Sequence, residues 1–471
     1  MKRLLRGTTM HNPQQQHALM AQTHTGTPLA LAPSLQNLAS SPTLAINEAI
    51  AARRAAGRKT IHLGFGEASF PLHPMLAEAL ARAARHTGYA PVLGIAPLRA
   101  AIADYLARTR NLTFSPDSIA IAPGSKPLLY ALLQVLEGDL LLPAPSWVSY
   151  APHAKLAGRR VITVETEPED HHRLTPQTLA NTLSYARQQG ANPRILIVNT
   201  PSNPTGGMFT REDTEAIALW SREEGITLIC DEIYAELAHG WREHVSPAQF
   251  YPEGCIVTGG LSKAYSAGGW RLGYAAIPIN AMGKALMKAL GALASEIWSS
   301  AATPMQEAAV TAYHPNAELT AYVQASARIH GHVAFRLYEA LTSMGVLCPR
   351  PAGAFYLYPD FTPWRSALLE RGIATSEQLA QHLLDTWDIA TLPGTAFGEQ
   401  PEALRLRLAT SMLYVPEDAQ TDDEKEKALW DLLAQAQKLS QDDVVNRILL
   451  EIPALERAQE RLKEFVQSLG N

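Results

Sequence analysis

The sequence has few cysteines, no large excess of either charge and no long apolar run. Its three cysteines, Cys230, Cys255 and Cys348, are too few and too far apart for a disulfide framework or a zinc site, so no metal is expected. This usage is typical of a reducing compartment, and a cytoplasmic location is predicted. No stretch of about 18 uninterrupted apolar residues occurs, which argues against a membrane span. The net charge of −5 lacks the basic excess typical of nucleic-acid-binding proteins, so neither a membrane nor a nucleic acid is a predicted partner.

The length and composition favour a large folded protein of two domains. The chain has 471 residues, of which 46% are hydrophobic, and this is enough for a sizeable core. The first residues are rich in Gln, His and Thr, which predicts a disordered leader. The predicted divisions are a leader over 1–34, a segment over 35–62 that joins the small domain, a large domain over 63–303, and a small C-terminal domain over 304–471 with an insertion near 421–452.

Between residues 119 and 277, short apolar runs alternate with helical patterns. Runs of this kind, bounded by Gly, Pro or Asn, are typical of strands buried on both faces. Strands separated by helices form mostly parallel sheets in α/β domains, and ligands bind beyond the carboxyl ends of such strands. The predicted strands are 119–122, 139–142, 161–164, 194–199, 226–230, 255–258 and 274–277.

After residue 303 the alternation stops. A long helical pattern over 304–344 is followed by short strands near 353–357 and 405–409, and a last helix is predicted to begin near Pro453. This order of elements predicts a smaller α+β domain.

Lys263 is the sharpest chemical candidate. It follows a predicted strand, lies among glycines, alanines and serines, and precedes Arg271 by eight positions. Small residues let a planar ligand approach the backbone, and a shielded lysine has the lowered pKa that an imine-forming nucleophile requires. An isolated lysine is most often a solvated surface group, so its neighbours must decide between the two interpretations.

Three further candidates follow predicted strands. Asp231 ends an apolar run, where its carboxylate either meets a positive partner, such as a pyridinium nitrogen, or caps a helix. Asn203, in an Asn-Pro-Thr-Gly stretch, either forms a tight turn or donates to a ring oxygen. The Gly-Ser-Lys stretch at 124–126 precedes a helix predicted from near Pro127, and exposed amides there suit a phosphate, although an ordinary loop and cap has the same pattern.

Taken in order, these motifs resemble those of the class I pyridoxal-phosphate-dependent aminotransferases of fold type I, the aspartate aminotransferase superfamily. The match runs from about residue 35 to about residue 410 and includes the last helix. The motifs that carry it are Gly66-Glu67, Tyr89, Gly124-Ser125-Lys126, Trp147, Asn203-Pro-Thr-Gly206, Asp231-Glu-Ile-Tyr234, Ser262-Lys263, Arg271, Pro351-Ala-Gly-Ala-Phe355 and Arg405. The resemblance implies pyridoxal 5′-phosphate as cofactor and a mostly parallel seven-stranded sheet in the large domain.

The resemblance also implies the cofactor contacts. Lys263 would hold the cofactor as a Schiff base and later transfer a proton, while Asp231 would pair with the pyridine nitrogen. Asn203 and Tyr234 would bond the 3′-oxygen of the ring. Trp147 would stack on the ring, although the sequence alone favours an ordinary core tryptophan. Phosphate contacts would come from Gly124, Ser125, Lys126, Ser262, Arg271 and, from the other subunit of a homodimer, Tyr89.

For the substrate, the resemblance implies that Arg405 clamps the α-carboxylate bidentately. Arg407, two residues further on, is expected to lie on the other face of the strand and is left out. Other implied substrate contacts are Gly66, Lys126, Trp147 and Asn203.

Two departures from the family pattern stand out. Many members have Ser or Thr three residues before the lysine, whereas Gly260 occupies that position here. The stretch over 66–70 reads Gly-Glu-Ala-Ser-Phe instead of Gly-Glu-Pro-Asp-Phe, and it is expected near the substrate entrance, so the specificity is expected to be altered.

The predicted activity is ping-pong transfer of an amino group between an L-amino acid and a 2-oxo acid in amino acid metabolism. Lys126 and the Ser-Pro-Thr stretch at 41–43 resemble positions near the distal carboxylate in bacterial aspartate-specific enzymes, which favours aspartate or glutamate with 2-oxoglutarate. Lys126 also occurs outside that branch, so an aromatic or other amino acid aminotransferase stays open. The remaining alternatives are a same-fold β-lyase or decarboxylase and a non-catalytic cofactor-binding regulatory module.

Overall fold

Twelve strands are present in the computed structural model, which describes residues 42–416, 419–438 and 452–470. In chain order these strands are β1 Ile61–His62, β2 Ile119–Ala122, β3 Asp139–Ala144, β4 Val161–Glu165, β5 Pro193–Asn199, β6 Thr227–Asp231, β7 Cys255–Gly260, β8 Gly273–Ala276, β9 Tyr356–Leu357, β10 Ile389–Ala390, β11 Leu392–Pro393 and β12 Leu406–Ala409. Seven of them form one sheet in the order β2-β8-β7-β6-β5-β3-β4. Its neighbouring strands are parallel except at β8, which runs antiparallel to both β2 and β7.

All seven predicted strands are present, and their ends differ from the predictions by two residues at most. The sheet is buried on both faces, because alternate residues of one strand enter two different cores. In β5, Leu196 and Val198 join one cluster, whereas Ile195 and Ile197 join the other. The mostly parallel α/β architecture predicted from the continuous apolar runs is therefore confirmed.

Helices connect the strands and continue beyond the sheet. The described helices are α1 Pro42–Ala55, α2 Pro74–Ala83, α3 Ala96–Arg110, α4 Ser125–Val135, α5 Tyr150–Leu156, α6 Pro176–Gln188, α7 Arg211–Glu223, α8 Ala281–Ile297, α9 Thr303–Tyr313, α10 Ala317–Ser343, α11 Arg365–Glu370, α12 Ser376–Trp387, α13 Asp422–Lys438 and α14 Pro453–Leu469. None of these described helices is both long and apolar enough to cross a membrane.

The long helical pattern over 304–344 is two helices rather than one. The break falls at Pro315 and Asn316, where the Asn316 side chain accepts a hydrogen bond from the backbone N–H of Leu319 at 2.9 Å and caps α10. Proline disfavours a helical conformation in the residue before it, so α9 ends before this point. The helix predicted from near Pro127 begins at Ser125, because a proline fits the first turn.

The N-terminal helix packs against residues late in the chain. Ile50 of α1 shares a small core with Leu384 and Ala390, and Arg53 forms an ion pair with Asp388 at 2.7 Å. Two small sheets lie outside the large one: β1 pairs with β10 in parallel, and β11, β12 and β9 form an antiparallel sheet. The described part of the segment over 35–62 thus contacts residues late in the chain, and its assignment to a small domain stays a prediction.

The predicted leader over 1–34 and the 439–451 part of the predicted insertion lie outside the described residues. The described part of the insertion is α13, and Leu429, Leu433 and Ala436 bury one face of this helix. The division into large and small domains stays a prediction, because the described residues all belong to one compact unit.

Candidate active site

Three neighbouring parallel strands lead to one cavity. Asn203 lies four residues after β5, Asp231 ends β6, and Lys263 lies three residues after β7. The carboxyl ends of parallel strands meet at one edge of a sheet, so these side chains come together there. The cavity has a volume of about 310 Å³. Ten of the thirteen predicted site residues line it, namely Gly66, Ser125, Lys126, Trp147, Asn203, Asp231, Tyr234, Ser262, Lys263 and Arg271.

The Lys263 amine is held inside this cavity. Its Nζ donates a hydrogen bond to the carbonyl of Gly66 at 2.8 Å and lies 5.8 and 5.7 Å from the ring centres of Tyr234 and Phe355. Loss of solvent around the amine lowers the pKa of Lys263 to about 8, although the Glu67 carboxylate acts in the opposite direction. An amine with this pKa is partly unprotonated near neutral pH, as a nucleophile or a proton acceptor must be.

The Asp231 carboxylate is buried and has no basic ion-pair partner among the described residues. Its Oδ2 accepts a hydrogen bond from the Tyr150 hydroxyl at 2.7 Å, and its Oδ1 accepts from the Thr258 hydroxyl and the Ile233 backbone N–H at 3.4 Å each. Burial raises the pKa of Asp231 to about 6, against the effect of these hydrogen bonds. A buried carboxylate in this state is suited to a cationic ligand atom.

Asn203 and Tyr234 place further polar atoms in the cavity. The Asn203 side chain is buried, and its Oδ1 has no hydrogen-bond partner in the protein. The Tyr234 hydroxyl lies 2.8 Å from that of Tyr356. Because a buried polar atom without a partner is costly, the unpaired Oδ1 of Asn203 indicates a ligand at this position.

A phosphate-sized cradle forms where α4 begins. Gly124 precedes this helix with a φ of +96°, a conformation that favours glycine. A Cβ atom at Gly124 would lie 2.2 Å from Nη2 of Arg271, and one at Gly273 would lie 2.3 Å from the backbone N of Ser125. The missing side chains let the Arg271 guanidinium approach the free amides of the helix N-terminus. This is an arrangement that binds phosphate.

Lys126 and Trp147 line another part of the cavity wall. The Lys126 Nζ lies 5.1 Å from the centre of the Trp147 ring. Burial, followed by the charge of Arg271, lowers the pKa of Lys126. Thr43 also lines the cavity, whereas Ser41 lies outside the described residues.

Arg405, directly before β12, and Arg407, within β12, do not lie where the sequence predicts. Arg405 donates to the carboxylates of Asp360 at 2.9 Å and Glu399 at 2.6 Å, and it does not line the cavity with Lys263. Arg407 lines that cavity, is 1% exposed, donates to the carbonyl of Gly64, and has an Nε without a partner. Leaving Arg407 out was wrong, because it lines the cavity. The ground for leaving it out was mistaken as well, since residues two apart in a strand share a face.

Two other predicted residues do not line the cavity. Gly124 is one of them, although the next residue, Ser125, does line it. Tyr89 is 95% exposed, and its predicted contact with the phosphate of another subunit stays a prediction.

The glycine in place of the usual Ser or Thr has a packing reason. A Cβ at Gly260 would lie 2.7 Å from the carbonyl oxygen of Leu272 on the approach to β8. The close antiparallel pairing of β7 and β8 therefore excludes a side chain here, and with it a hydroxyl.

The comparisons with known proteins agree with this geometry. The family model for aminotransferase class I and II matches residues 58–413. The chain belongs to this family.

Curated relatives of this aminotransferase include an aspartate aminotransferase from Geobacillus stearothermophilus, 35% identical over 82% of this chain and 95% of that protein. Another aspartate aminotransferase, from Bacillus subtilis, is 34% identical over 82% of this chain and 95% of that protein. Among solved structures, the aspartate aminotransferase from Thermus thermophilus with maleate has a TM-score of 0.73 at 30% identity, and the match covers 87% of this chain and all of that one.

The protein is therefore a pyridoxal-phosphate-dependent transaminase of fold type I. The cavity fits the cofactor on three independent features. These are an unpaired buried amide oxygen at Asn203, a buried carboxylate at Asp231 with no cationic partner in the described part of the chain, and a glycine-lined cradle beside Arg271.

Sequence reasoning missed three residues of the site. Tyr150, which hydrogen-bonds Asp231, lies three positions after Trp147, and Tyr356 directly follows the Pro-Ala-Gly-Ala-Phe stretch. Their positions next to motifs were an available signal. The signal for Arg407 was the strand alternation itself.

Proposed function

We propose that this aminotransferase moves an amino group between L-aspartate or L-glutamate and a 2-oxo acid such as 2-oxoglutarate, by a ping-pong mechanism. The observation that carries the proposal is that one cavity holds both the Lys263 amine and the Arg407 guanidinium, whose Nε has no hydrogen-bond partner in the protein. An α-amino acid needs both groups, one that exchanges with its amine and one that binds its carboxylate. Both substrates would use these two groups in turn.

The cofactor would be held by groups already in place. When bound, pyridoxal phosphate supplies an electron sink that acidifies the Cα proton of the substrate. Lys263 would bind it covalently through its amine, and Asp231 would pair with the ring nitrogen. Stacking by Trp147 and hydrogen bonds to the 3′-oxygen from Asn203 and Tyr234 would fix the ring. The phosphate would be bound by the backbone of Gly124, Ser125 and Lys126 and by Ser262 and Arg271.

Lys263 would also move the proton. With its amine free, as in this structure, the lowered pKa of Lys263 would leave Nζ able to accept a proton from the Cα of a bound substrate. The carbonyl of Gly66, which accepts from Nζ at 2.8 Å, would orient the amine for this transfer.

Arg407, rather than Arg405, would bind the α-carboxylate. A buried guanidinium without an acidic partner is costly, and a bidentate carboxylate would relieve this cost. Arg405 already has two carboxylate partners.

Lys126 and Thr43 line the cavity wall, where they could bind a second carboxylate of the substrate. Their presence favours a dicarboxylic amino acid. The curated relatives named above as aspartate aminotransferases support the same choice. Aspartate and glutamate are therefore the proposed donors.

We also propose a homodimer with shared active sites in the cytoplasm. Tyr89 is 95% exposed although it belongs to a motif of the site, and a neighbouring subunit would give it a role. Large apolar side chains are exposed on and beside α8, namely Ile279, Met282 and Ile297, and a partner would cover them. The three cysteines are buried and unpaired, as in a reducing compartment.

The test is a half-reaction. The protein loaded with pyridoxal phosphate is mixed with aspartate without any 2-oxo acid, and the products are analysed. We expect stoichiometric pyridoxamine phosphate and oxaloacetate. Release of ammonia or carbon dioxide instead would identify a lyase or decarboxylase, and no reaction by any of a panel of amino acids would reject the proposal.

A donor panel with 2-oxoglutarate as acceptor then tests the substrate choice. Aspartate should have a higher kcat/KM than phenylalanine, leucine or alanine. Equal values across the panel would contradict the proposed specificity while leaving transamination intact. In the Lys263→Ala variant, turnover should be nearly abolished.

A further inference from the structure

The helix α13, which belongs to the predicted insertion, packs tightly onto the body of the protein. Leu429, Leu433 and Ala436 are buried against the main core, and the Arg328 guanidinium of α10 donates to the carbonyl of Ala436 at 3.1 Å. These contacts anchor the helix. The half-buried Trp430 of the same helix instead contacts aromatic side chains outside the insertion.

The Trp430 ring lies against two aromatic side chains that do not belong to the insertion. Its centre is 5.9 Å from that of His73 and 5.9 Å from that of Tyr322. His73 is buried at the start of α2, where its Nδ1 accepts a hydrogen bond from the backbone N–H of Met75 and its Nε2 lies 3.4 Å from the Glu318 carboxylate.

His73 and Tyr322 hold the far end of the segment over 66–73. The Tyr322 hydroxyl donates to the carbonyl of Pro71 at 2.9 Å, and its ring contacts that of His73 edge-on at 5.5 Å. Trp430 therefore contacts both side chains that fix this end. Since interiors transmit strain through close packing, loss of the Trp430 ring would loosen both of them.

The near end of the segment over 66–73 reaches the reacting amine. Phe70 stacks on Tyr414 at 4.4 Å, and the backbone N–H of Ser69 donates to the Tyr414 hydroxyl at 3.2 Å. The carbonyl of Gly66 then accepts the hydrogen bond from Nζ of Lys263 at 2.8 Å. A continuous series of contacts thus runs from Trp430 to Lys263.

We propose that Trp430 is a positioning residue of the aminotransferase, through which α13 fixes the segment over 66–73 and thereby the acceptor of the Lys263 amine. This inference rests on the proposed function for its kinetic consequence. The insertion then has a role in the reaction, although none of its described residues lines the cavity with Lys263.

The test compares Trp430→Ala with Leu433→Ala and Trp430→Phe. The Leu433→Ala variant removes a buried side chain from the same helix and leaves the Trp430 ring in place, while Trp430→Phe keeps a ring beside His73. Hydrogen–deuterium exchange of the intact cofactor-loaded protein is measured by mass spectrometry on peptides that cover residues 66–73. The same proteins are assayed with aspartate and 2-oxoglutarate.

We expect Trp430→Ala to accelerate exchange at 66–73, including the Ser69 amide, and to lower kcat/KM by roughly tenfold, because a small misplacement of a reacting group is costly even when the mutation is remote. Trp430→Phe should keep exchange at 66–73 and kcat/KM close to their wild-type values. Leu433→Ala should lower Tm without either change.

Equal exchange in Trp430→Ala and Leu433→Ala, or unchanged exchange in both, would overturn the proposal. The exchange measurement does not depend on turnover, so it decides whether Trp430 fixes the segment over 66–73 even if the wild-type protein fails to transaminate. Faster exchange at 66–73 with wild-type kcat/KM would also overturn the proposal, because the segment would then be held by Trp430 without effect on the reaction.

Discussion

Arg405, directly before β12, and Arg407, within it, show how one residue type meets two different surroundings. Arg405 pairs with Asp360 and Glu399, whereas Arg407 donates to the carbonyl of Gly64 and has no carboxylate partner among the described residues. Which arginine stays free for a ligand depends on where the acidic residues lie, and these come from positions 45 and 6 residues away along the chain.

If Arg407 binds the substrate carboxylate and Arg405 does not, lysine at the two positions should have different effects. Arg407→Lys should lower kcat/KM for aspartate by roughly a hundredfold, about 3 kcal/mol, because a lysine cannot bind a carboxylate bidentately. Arg405→Lys should lower Tm through its weakened ion pairs and leave kcat/KM near the wild-type value. Steady-state kinetics and thermal unfolding of both variants check this. The opposite pattern would return the carboxylate role to Arg405.

The raised pKa of Asp231 leads to a prediction about how cofactor binding depends on pH. Its pKa in the cofactor-free protein is raised to about 6, so the folded state holds this proton more tightly than the unfolded chain does. The stability that this group contributes is therefore present below the unfolded pKa of 3.8 and is lost as pH rises toward about 6. The cofactor ring nitrogen needs the ionised form, so affinity for pyridoxal phosphate should fall as pH drops below about 6.

Spectroscopic titration of the cofactor-free protein from pH 5 to 8 measures this affinity. Asp231→Asn is the control, because it cannot ionise, and it should bind weakly with a flatter pH profile. The variant should also have the higher Tm of the two cofactor-free proteins at pH 8, where the wild type buries a charge. Parallel pH profiles for the two proteins would contradict the assigned role of Asp231.

At the scale of elements, the site is a set of strand ends and helix starts. β5, β6 and β7 lead to the groups proposed to bind the cofactor ring, and the start of α4 forms the proposed phosphate cradle. Each of these junctions had a local sequence signal, an apolar run that ends at a polar residue or glycine. This is why ten of the thirteen site residues could be placed in one cavity from the sequence.

Gly124, which directly precedes α4, should tolerate no side chain. In Gly124→Ala the new Cβ would lie 2.2 Å from Arg271 Nη2, in a backbone conformation with a φ of +96°. We expect at least tenfold weaker binding of pyridoxal phosphate, because Arg271 must move away from the helix N-terminus.

A matched control is Gly158→Ala, which has a φ of +69° and open space around the new Cβ. It carries a backbone cost of about 1 kcal/mol without disturbing Arg271, and its cofactor affinity should stay at the wild-type value. Equal loss of affinity in the two variants would show that backbone strain alone, rather than displacement of Arg271, accounts for the effect.

The sequence predicted the elements less well where a helix break or a contact between strands determines the local structure. The break between α9 and α10 follows from Pro315 and Asn316, which the apolar periodicity of the 304–344 pattern does not show. The glycine at 260 looked like a lost phosphate ligand, but the packing of β7 against the residues before β8 explains it.

At the scale of the whole molecule, the proposed dimer predicts complementation between two impaired variants. Lys263→Ala has no amine in its own site, and Tyr89→Ala would deprive the partner's site of a phosphate contact. In a mixed dimer, one site would have both Lys263 and Tyr89, and the other neither.

Refolding the two variants together should therefore give activity well above the mean of the separate variants, up to about one quarter of the wild-type value for random pairing of two sites. Analytical ultracentrifugation of the wild type should give twice the monomer mass. Activity no higher than the mean, or a monomer at assay concentration, would reject a shared site.

The sequence by itself determined the sheet, the strand ends that bear Asn203, Asp231 and Lys263, and the family, because these depend on short-range patterns of apolar, polar and glycine residues. Only the tertiary structure placed Arg407 in the cavity with Lys263 and paired Arg405 with carboxylates, brought Tyr150 to Asp231 and Tyr356 to Tyr234, and placed Trp430 against His73. These choices depend on partners that lie far apart in the chain. Their burial and charge are fixed only when the chain has folded.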